Sequence, residues 1–432
     1  MREKVKGNVL ESVIVSLNQY SSNHELNNTR NTRLFRDLLT DVLTKATKYE
    51  DDGSYFVKTG DIPAMWLRDA TFQVLPYVSL INEIPDLYDL LTGVLKRELR
   101  FVKMDPYANA FNQTSSGAHW SDDDSNIPVS DHVWERKFEI DSLCAPLFLA
   151  NNLYEKTGNT DIFDEEFWNN LSIIIDVFKT EQHHNTSPYY FKRKDCPSND
   201  TLSNDGKGTP VKYTGMIWDG FRPSDNACVY GYHIPSNMFV VSVLTPLLDK
   251  VPERFATLKN EVLTLLNEIK SGINRYAIVQ LSDDTTGYAY EVDGMGNYKL
   301  MDDANVPSLL SLPFIKYCSK DAPLYENTRE FVLSSKNPYY YSGTVLQGIG
   351  SNHTPVNYVW PISIAIEGLT SDNLDKKVHQ LDVISETNNK TSQCHESVDM
   401  NDQSKYTREW FSWSNMTYCQ LALDFINENV GR

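Results

Sequence analysis

The sequence has no paired cysteine motif, no long apolar run and no surplus of basic residues. Its six cysteines are scattered without a CxxC pair, which predicts free thiols. No apolar stretch approaches the roughly 18 residues of a transmembrane helix, and the apolar run at 13–17 is too short for the core of a signal peptide. We therefore expect a cytoplasmic chain with no membrane partner.

Basic residues are outnumbered, 40 against 58 acidic ones, and the net charge of −18 argues against a nucleic-acid partner. Motifs for metal or nucleophilic chemistry are also missing. The nine histidines form no HExxH or HxxEH pattern, and there is no Gly-x-Ser-x-Gly or phosphate-binding glycine loop. We therefore expect neither a metal nor a cofactor. No Pro/Gly/Ser-rich tract divides the chain, which predicts a single domain over 1–432.

Helical periodicity is the main structural signal. Apolar residues at the 0, 3, 4, 7 spacing of one helical face occur at Phe35, Leu38, Leu39 and Val42. Further helices are expected at 8–20, 70–80, 84–103, 137–155, 171–178, 236–249, 262–269, 307–318, 324–335, 358–370, 372–386 and 418–425. Strand signals are confined to short hairpins at 54–58 and 287–294. The chain is expected to be mainly α-helical.

Polar segments rich in aromatic residues separate these helices at intervals of some tens of residues. They lie at 60–69, 105–139, 196–236, 287–307, 348–361 and 395–415. Long loops that return after each helical pair are what a ring of helical hairpins would produce, with the loops gathered at one mouth. An ordinary helical array with irregular connectors is the alternative, because no clean sequence repeat is present.

Two of these segments carry candidate substrate contacts. Trp66, Arg68 and Asp69 precede a predicted helix, and an Arg–Asp pair beside an indole could hold sugar hydroxyls. A structural ion pair around a core tryptophan would explain the same residues. In the second segment, His119 precedes a tryptophan, and a charged run at 134–141 enters a helix. These residues could line a polar pocket or form a solvated first turn.

The segment 218–239 is dense in carboxylates, aromatic residues, glycine and proline. It contains two candidate acids, Asp219 and Asp225, before an apolar run that Ser236 or Asn237 could cap as a helix. A general acid must keep its proton near neutral pH, through burial or a neighbouring negative charge. Without such an environment, Asp225 would be only a turn or capping residue.

Glu396 is the second carboxylate of interest, flanked by His395 and followed by Trp410 and Trp413. It is far from Asp225 in sequence, yet two such acids can face each other across a pocket. In inverting glycosidases one acid protonates the leaving group and the other activates water. A polar loop beside helix-packing tryptophans is the alternative.

Seven motifs, taken together and in order, resemble glycoside hydrolase family 125. They are Gly-Asp-Ile-Pro-Ala-Met-Trp-Leu-Arg-Asp at 60–69, Trp-Glu-Arg-Lys at 134–137, Phe-Arg-Pro-Ser-Asp at 221–225, Ile-Pro-Ser-Asn-Met-Phe at 234–239, Met-Asp-Asp-Ala-Asn-Val-Pro-Ser-Leu-Leu at 301–310, His-Glu-Ser at 395–397 and Arg-Glu-Trp-Phe-Ser-Trp at 408–413. The resemblance runs from about residue 45 to the C-terminus. It implies an (α/α)6 barrel and a metal-independent, inverting exo-α-1,6-mannosidase. Its substrates would be small carbohydrates, mannosides such as N-glycan or mannan fragments.

Carried over by motif, the resemblance implies that Asp225 is the general acid and Glu396 the general base. The expected substrate-binding residues are Trp66, Arg68, Asp69, His119, Arg222, His395 and Trp413. Members of the family often read Trp-Ser-x-Phe-Arg-Pro-Ser-Asp-Asp, whereas here Asp219 replaces the serine and Asn226 the last aspartate. These changes move a negative charge near the acid and could shift its pKa. An inactive glycan-binding protein on the same helical ring, or another sugar enzyme such as an epimerase or a glycosidase of other specificity, stays open as an alternative.

Overall fold

The computed structural model describes residues 8–430 and is mainly helical. The helices are α1 (Leu10–Asn23), α2 (Thr29–Leu39), α3 (Asp41–Lys45), α4 (Leu67–Val74), α5 (Asp86–Met104), α6 (Ile140–Thr157), α7 (Glu165–Gln182), α8 (Ile234–Leu244), α9 (Ala256–Gly272), α10 (Pro323–Val332), α11 (Pro361–Leu369), α12 (Leu374–Glu386) and α13 (Ser412–Val430). Short 3-10 helices lie at Leu75–Leu80, His184–Thr186, Thr245–Leu247 and Glu253–Phe255, a π-helical turn at Ile273–Ala277, and a turn with two left-handed residues at Ser203–Gly206. Apart from the segment 307–318, every predicted helix overlaps an observed one.

The helices form a ring of hairpins. On the inside, α4 packs on α6, α6 on α8, α11 on α13, and α13 back on α4. Outer helices cover this ring: α5 packs on α6 and α7, α9 on α8, and α12 on α11 and α13. The inner helix α8 is buried on all sides except at Ser242, which explains why its sequence is apolar all round. The predicted (α/α)6 arrangement is confirmed.

Short antiparallel strands build the loops. They are β1 (Thr47–Tyr49), β2 (Tyr55–Val57), β3 (Ala64–Trp66), β4 (Ala110–Asn112), β5 (Asp124–Ser125), β6 (Val133–Glu135), β7 (Phe191–Lys192), β8 (Tyr232–His233), β9 (Ile278–Ser282), β10 (Thr285–Tyr288), β11 (Glu291–Val292), β12 (Tyr298–Lys299), β13 (Tyr340–Ser342), β14 (Gln347–Ile349), β15 (Tyr358–Val359), β16 (Ser397–Asp399) and β17 (Asp402–Thr407). They pair as β1–β2, β5–β7, β9–β10 and β13–β14, and in the sheets β3–β4–β6, β8–β11–β12 and β15–β16–β17. The predicted hairpin at 54–58 is confirmed by the β1–β2 pair.

The predicted helix at 307–318 is wrong, because the segment is a series of turns around Asp302. The Asp302 carboxylate accepts hydrogen bonds from the backbone N–H groups of Leu309 and Leu310 at 2.8 and 2.9 Å. Pro313 lacks the N–H that a helix would need there. The segment still contributes to the interior, since Phe314 stacks on Phe72 of α4 at 6.2 Å.

Two local predictions also need correction. The stretch 287–294 is not one hairpin, because its first half belongs to β10, which pairs with β9, while its second half belongs to β11, which pairs with β8 and β12. Helix α8 is capped by His233, whose side chain accepts from the N–H of Ser236, rather than by Ser236 or Asn237. The loop before it does lead into a helix N-terminus, as predicted.

The main hydrophobic cluster draws on residues from Val13 to Ile426. Within the described part of the chain, none of the helices combines the length and apolarity required to cross a membrane. The division into a single domain stays a prediction.

Candidate active site

A pocket opens where the loops that precede α4, α8 and α13 meet. Its cavity volume is about 30 Å³. Its lining residues are Thr59, Ile62, Trp66, Arg68, Asp69, Pro223, Ser224, Asp225, Asn305, His353, Trp360, Glu396, Arg408, Phe411 and Trp413. Three carboxylates, one on α4 and two on separate loops, and four tryptophan or phenylalanine rings therefore converge on one cavity, which suits a polar ring compound with apolar faces.

Arg68, in the first turn of α4, contacts four carboxyl groups. Its Nη1 donates to Oε2 of Glu139 at 2.8 Å and to Oδ2 of Asp141 at 3.1 Å. Its Nη2 donates to Oδ1 of Asp225 at 3.2 Å and lies 3.4 Å from Oδ2 of Asp69. All five side chains are buried except that of Asp225, of which 22% is exposed. One guanidinium cannot balance four buried ionised carboxylates, so this cluster must hold protons.

The pKa values of the cluster diverge. Burial raises the pKa of Asp69 to about 6 and raises the pKa of Glu139 well above its ordinary value. Burial also acts to raise the pKa of Asp225, but the positive charges of Arg68 and Lys137 outweigh it and hold that pKa well below its usual range. These positive charges favour the ionised form of Asp225, whereas a general acid must carry a proton.

Asp225 sits on a tight loop with left-handed backbone, at φ 63°. Its N–H donates to the carbonyl of Arg222 at 2.8 Å, and the N–H of Arg222 donates to the carbonyl of Asn226 at 2.8 Å. Aspartate tolerates this conformation better than most residues do. The Lys137 ammonium donates to the backbone carbonyl of Asp225 at 2.9 Å and fixes the loop from the side.

Glu396 reaches the pocket from the residue before β16. Its backbone N–H donates to the carbonyl of Thr407 at 3.2 Å, which continues the pairing of β16 with β17. Nη1 of Arg408 lies 3.5 Å from Oε1 of Glu396. The side chain is buried, with 6% exposed. Two carboxylates on different loops thus face the same cavity, one beside Arg68 and one beside Arg408.

The sequence matches the family described as metal-independent α-mannosidase (GH125) over residues 28–423. The chain belongs to this family. It is therefore a glycoside hydrolase of the α-mannosidase type. Within residues 8–430, no cluster of three or more His, Cys, Asp or Glu side chains is arranged to hold a metal ion.

Relatives match nearly the whole family-125 chain. The meiotically up-regulated gene 157 protein of Schizosaccharomyces pombe is 35% identical over 416 residues, which are 91% of this chain and 82% of that protein. A structure of a Streptococcus pneumoniae metal-independent α-mannosidase, described as a non-productive substrate complex with α-1,6-mannobiose, is 40% identical. It covers 98% of this chain and 99% of its own, with a TM-score of 0.91. A glycosidase variant with 12% identity and a TM-score of 0.51 shares the fold alone.

Six of the residues predicted from the sequence of this family-125 protein line the pocket: Trp66, Arg68, Asp69, Asp225, Glu396 and Trp413. Trp413 is held between two partners. The Arg68 guanidinium lies 5.5 Å from the centre of its ring, and Phe72 stacks on it at 5.6 Å. The contact of each residue with substrate stays a prediction.

Three predicted binding residues do not line the pocket. Arg222 lies beneath the Asp225 loop, where its Nε donates to Oε1 of Glu291 at 2.6 Å. His395 is buried behind Glu396, stacked on Tyr406 at 3.9 Å. His119 lies in a separate surface groove, where its Nε2 is 3.1 Å from Oδ1 of Asp122.

The two positions that depart from the family pattern are both buried, and neither contacts the Asp225 carboxyl. Asp219 accepts a hydrogen bond from the N–H of Ile140 at 3.1 Å, at the start of α6. The Asn226 side chain accepts from the hydroxyl of Ser224 at 3.3 Å. Whether either residue alters the acid's pKa stays a prediction.

Sequence reasoning did not single out several residues of the site: Glu139, Asp141, Lys137, Asn305, His353, Trp360 and Arg408. Glu139 and Asp141 lie in a charged run that is equally typical of the solvated first turn of a helix. Their position could have indicated that they belong to the site, because they closely follow the Trp-Glu-Arg-Lys motif at 134–137.

Proposed function

We propose that this family-125 enzyme is an exo-acting α-1,6-mannosidase that hydrolyses with inversion, with Asp225 as general acid and Glu396 as general base. The observation that carries the proposal is that these two carboxylates, from loops far apart in sequence, line one pocket. The α-1,6 specificity is supported by the 40% identical S. pneumoniae protein, which is described in complex with α-1,6-mannobiose.

The exo action is supported by the size of the cavity. Its volume of about 30 Å³ is far below the roughly 300–1,000 Å³ usual for small-ligand sites, so the cavity offers no passage for a chain to run through. Such a pocket suits the terminal residue of a chain better than an internal one. Trp66 and Trp413 supply apolar surface for a sugar ring, and Asp69 supplies hydrogen-bond acceptors for its hydroxyls.

The proposed reaction needs one proton delivered and one removed. The Asp225 carboxyl donates a proton to the glycosidic oxygen, whose bond to C1 breaks. Glu396 takes a proton from the water whose oxygen forms the new bond to C1 on the opposite face. Arg408 keeps the Glu396 carboxylate oriented, since its guanidinium lies beside it. The product is mannose with the inverted, β configuration.

A linkage panel tests the specificity. Purified protein is incubated with α-1,6-, α-1,2- and α-1,3-linked mannobiose, with and without a chelator, and released mannose is measured. We expect hydrolysis of the α-1,6 compound, with no change on chelation. Preference for another linkage would contradict the α-1,6 assignment, and saturable heat of binding without product would indicate a glycan-binding protein.

Proton NMR of the first-formed sugar tests the stereochemistry. We expect β-mannose to appear first and to equilibrate slowly to the α form. Release of α-mannose would refute inversion.

Two isosteric substitutions test the residue roles. Asp225→Asn and Glu396→Gln should each lower kcat on α-1,6-mannobiose by roughly 100-fold to 10,000-fold. Asp195→Asn and Glu409→Gln are matched controls, because both carboxylates are exposed and lie in the same two segments between helices, α7 to α8 and α12 to α13. These controls should stay within about threefold of the wild type; near-normal rates in the first pair would contradict the assignment.

A further inference from the structure

The carboxyl of Glu139 is the side chain best placed to supply a proton to Asp225. Arg68 donates from Nη1 to Oε2 of Glu139 at 2.8 Å and from Nη2 to Oδ1 of Asp225 at 3.2 Å, so the two carboxyls lie side by side on one guanidinium, close enough to share a hydrogen bond. A hydrogen bond between two carboxyl groups requires that one of them carries a proton. Glu139 is fully buried, whereas part of the Asp225 side chain faces the pocket.

The surroundings of Glu139 fix it in place. Nδ2 of Asn109 lies 3.2 Å from Oε1, and the hydroxyl of Ser142 donates to Oε2 at 2.9 Å. Arg68 donates to the same Oε2. A carboxyl with this many partners and no exposure does not exchange its proton directly with bulk water, so its proton leaves by way of Asp225.

We propose that Glu139 holds the proton for the leaving group and passes it to Asp225 during catalysis. This inference rests on the proposed function of Asp225 as general acid. Glu139 does not line the pocket, so it is a positioning residue that acts through Asp225.

The proposed transfer moves one proton from Glu139 to the leaving group. Glu139 gives its proton to the ionised Asp225, and Asp225 passes it to the glycosidic oxygen while the C1–oxygen bond breaks, so Asp225 ends as it began. Glu139 is left ionised, while Glu396 has gained the proton of the attacking water. Proton exchange with solvent through the pocket then restores both carboxyls.

Burial raises the pKa of Glu139 well above its ordinary value, whereas Arg68 and Lys137 hold the pKa of Asp225 low against the effect of burial. These opposite shifts favour the proton on Glu139 rather than on Asp225. The other charged groups around the pair are Asp69 on α4, Asp141 on α6, Glu135 on β6, Asp200, and His353 and Arg408 at the pocket wall.

Glu139→Gln tests the inference, because the amide keeps the size of the side chain and one acceptor oxygen but has no acidic proton to pass on. We expect kcat on α-1,6-mannobiose to fall by roughly 100-fold or more. The rate on 2,4-dinitrophenyl α-mannoside should fall by less than about tenfold, because its leaving group departs without protonation. The basic limb of the pH–rate profile on mannobiose should move to lower pH.

Asp141→Asn is the charge-matched control. It removes one carboxyl from the same guanidinium, but Asp141 shares no hydrogen bond with Asp225. We expect both substrates to respond equally to this change and the basic limb to move less than it does in Glu139→Gln. If Glu139→Gln also affects both substrates equally, or leaves the basic limb unmoved, the inference is overturned.

Thermal unfolding and circular dichroism establish that each variant folds. Should Glu139→Gln fail to fold, Glu139→Asp keeps a carboxyl at shorter reach and is expected to slow mannobiose more than the dinitrophenyl compound; equal slowing would overturn the inference. Asp225→Asn separates the two claims. If it remains active, the proposed function fails; if it is inactive while Glu139→Gln behaves like Asp141→Asn, only this inference fails.

Discussion

Arg408 holds the carboxylate of Glu396, with its Nη1 3.5 Å from Oε1. The guanidinium is anchored from the other side, because Nε donates to Oδ1 of Asp61 at 2.9 Å and Nη2 donates to the carbonyl of Thr59 at 3.1 Å. The proposed base is thus tied to the loop that precedes α4, although the two segments lie at opposite ends of the chain.

Arg408→Gln should therefore lower kcat on α-1,6-mannobiose by roughly 10-fold to 100-fold, since a small displacement of a catalytic group costs about this much. Asp61→Asn keeps the guanidinium but weakens its anchor, so its effect should be smaller. Steady-state kinetics of the two variants make the comparison. An unchanged kcat in Arg408→Gln would show that Glu396 is oriented by other contacts.

His395 should act on kcat rather than on KM. It has a left-handed backbone at φ 64°, stacks on Tyr406 and places Nδ1 3.0 Å from the carbonyl of Glu409, so it shapes the chain just before Glu396. His395→Asn tolerates this backbone but loses the stacked ring. We expect a fall in kcat of roughly 10-fold to 100-fold with KM changed by less than about threefold.

His119→Ala is the comparison for that experiment, because His119 was predicted by the same resemblance but lies in another groove. It should change neither constant by more than about threefold. A rise in KM for His395→Asn would indicate that His395 contacts the substrate. A large effect of His119→Ala would indicate the same for His119.

The helical ring was predictable because its helices have one apolar face or are apolar throughout. The segment 307–318 was not, since a buried run of apolar residues looks the same whether it forms a helix or a series of turns. What decides between them is Asp302, whose carboxylate binds two backbone N–H groups that lie seven and eight residues further along the chain. The spacing of apolar residues in the sequence gives no sign of such a contact.

The site was predictable where a motif residue points into the cavity, as with Asp225, Glu396 and Trp413. Motifs do not reveal which side of a loop faces the pocket, which is why Arg222 and His395 were expected to bind substrate yet lie behind it. Glu139 was missed for a different reason. The packing of α6 on α4 buries Glu139 against Arg68. The alternating charges around Glu139 in the sequence are instead typical of a solvated surface.

Stability should fall as the pH rises from about 6 to 8, and Asp302 should contribute to this fall. Burial raises the pKa of Asp302 to about 8 from an ordinary 3.8. Between these values the folded chain keeps the proton and the unfolded chain loses it, so the folded state binds more protons and loses stability as the pH rises. The slope is at most roughly 1.4 kcal/mol per pH unit for one such group.

Asp302→Asn should flatten this slope, because the amide does not titrate. It should also cost about 1–2 kcal/mol at pH 6, since an amide oxygen can replace only one of the two carboxyl oxygens that accept from Leu309 and Leu310. Urea unfolding at pH 6, 7 and 8 gives the free energy of unfolding of both proteins. Equal slopes would mean that Asp302 is ionised in the folded chain.

Asp219 should prove to be a structural residue rather than a modifier of the acid. Burial raises its pKa well above the ordinary value, so it is neutral in the folded chain and exerts little field on Asp225. Its Oδ1 accepts from the N–H of Ile140, a donor at the start of α6 that has no partner within the helix. Asp219→Asn preserves this bond, whereas Asp219→Ala removes it and should cost about 1–2 kcal/mol of unfolding free energy.

We expect Asp219→Asn to leave the pH–rate profile on mannobiose in place, with kcat within about threefold of the wild type. A shift of either limb in that variant would mean that Asp219 carries a charge which the acid senses, and that it compensates for the aspartate replaced by Asn226.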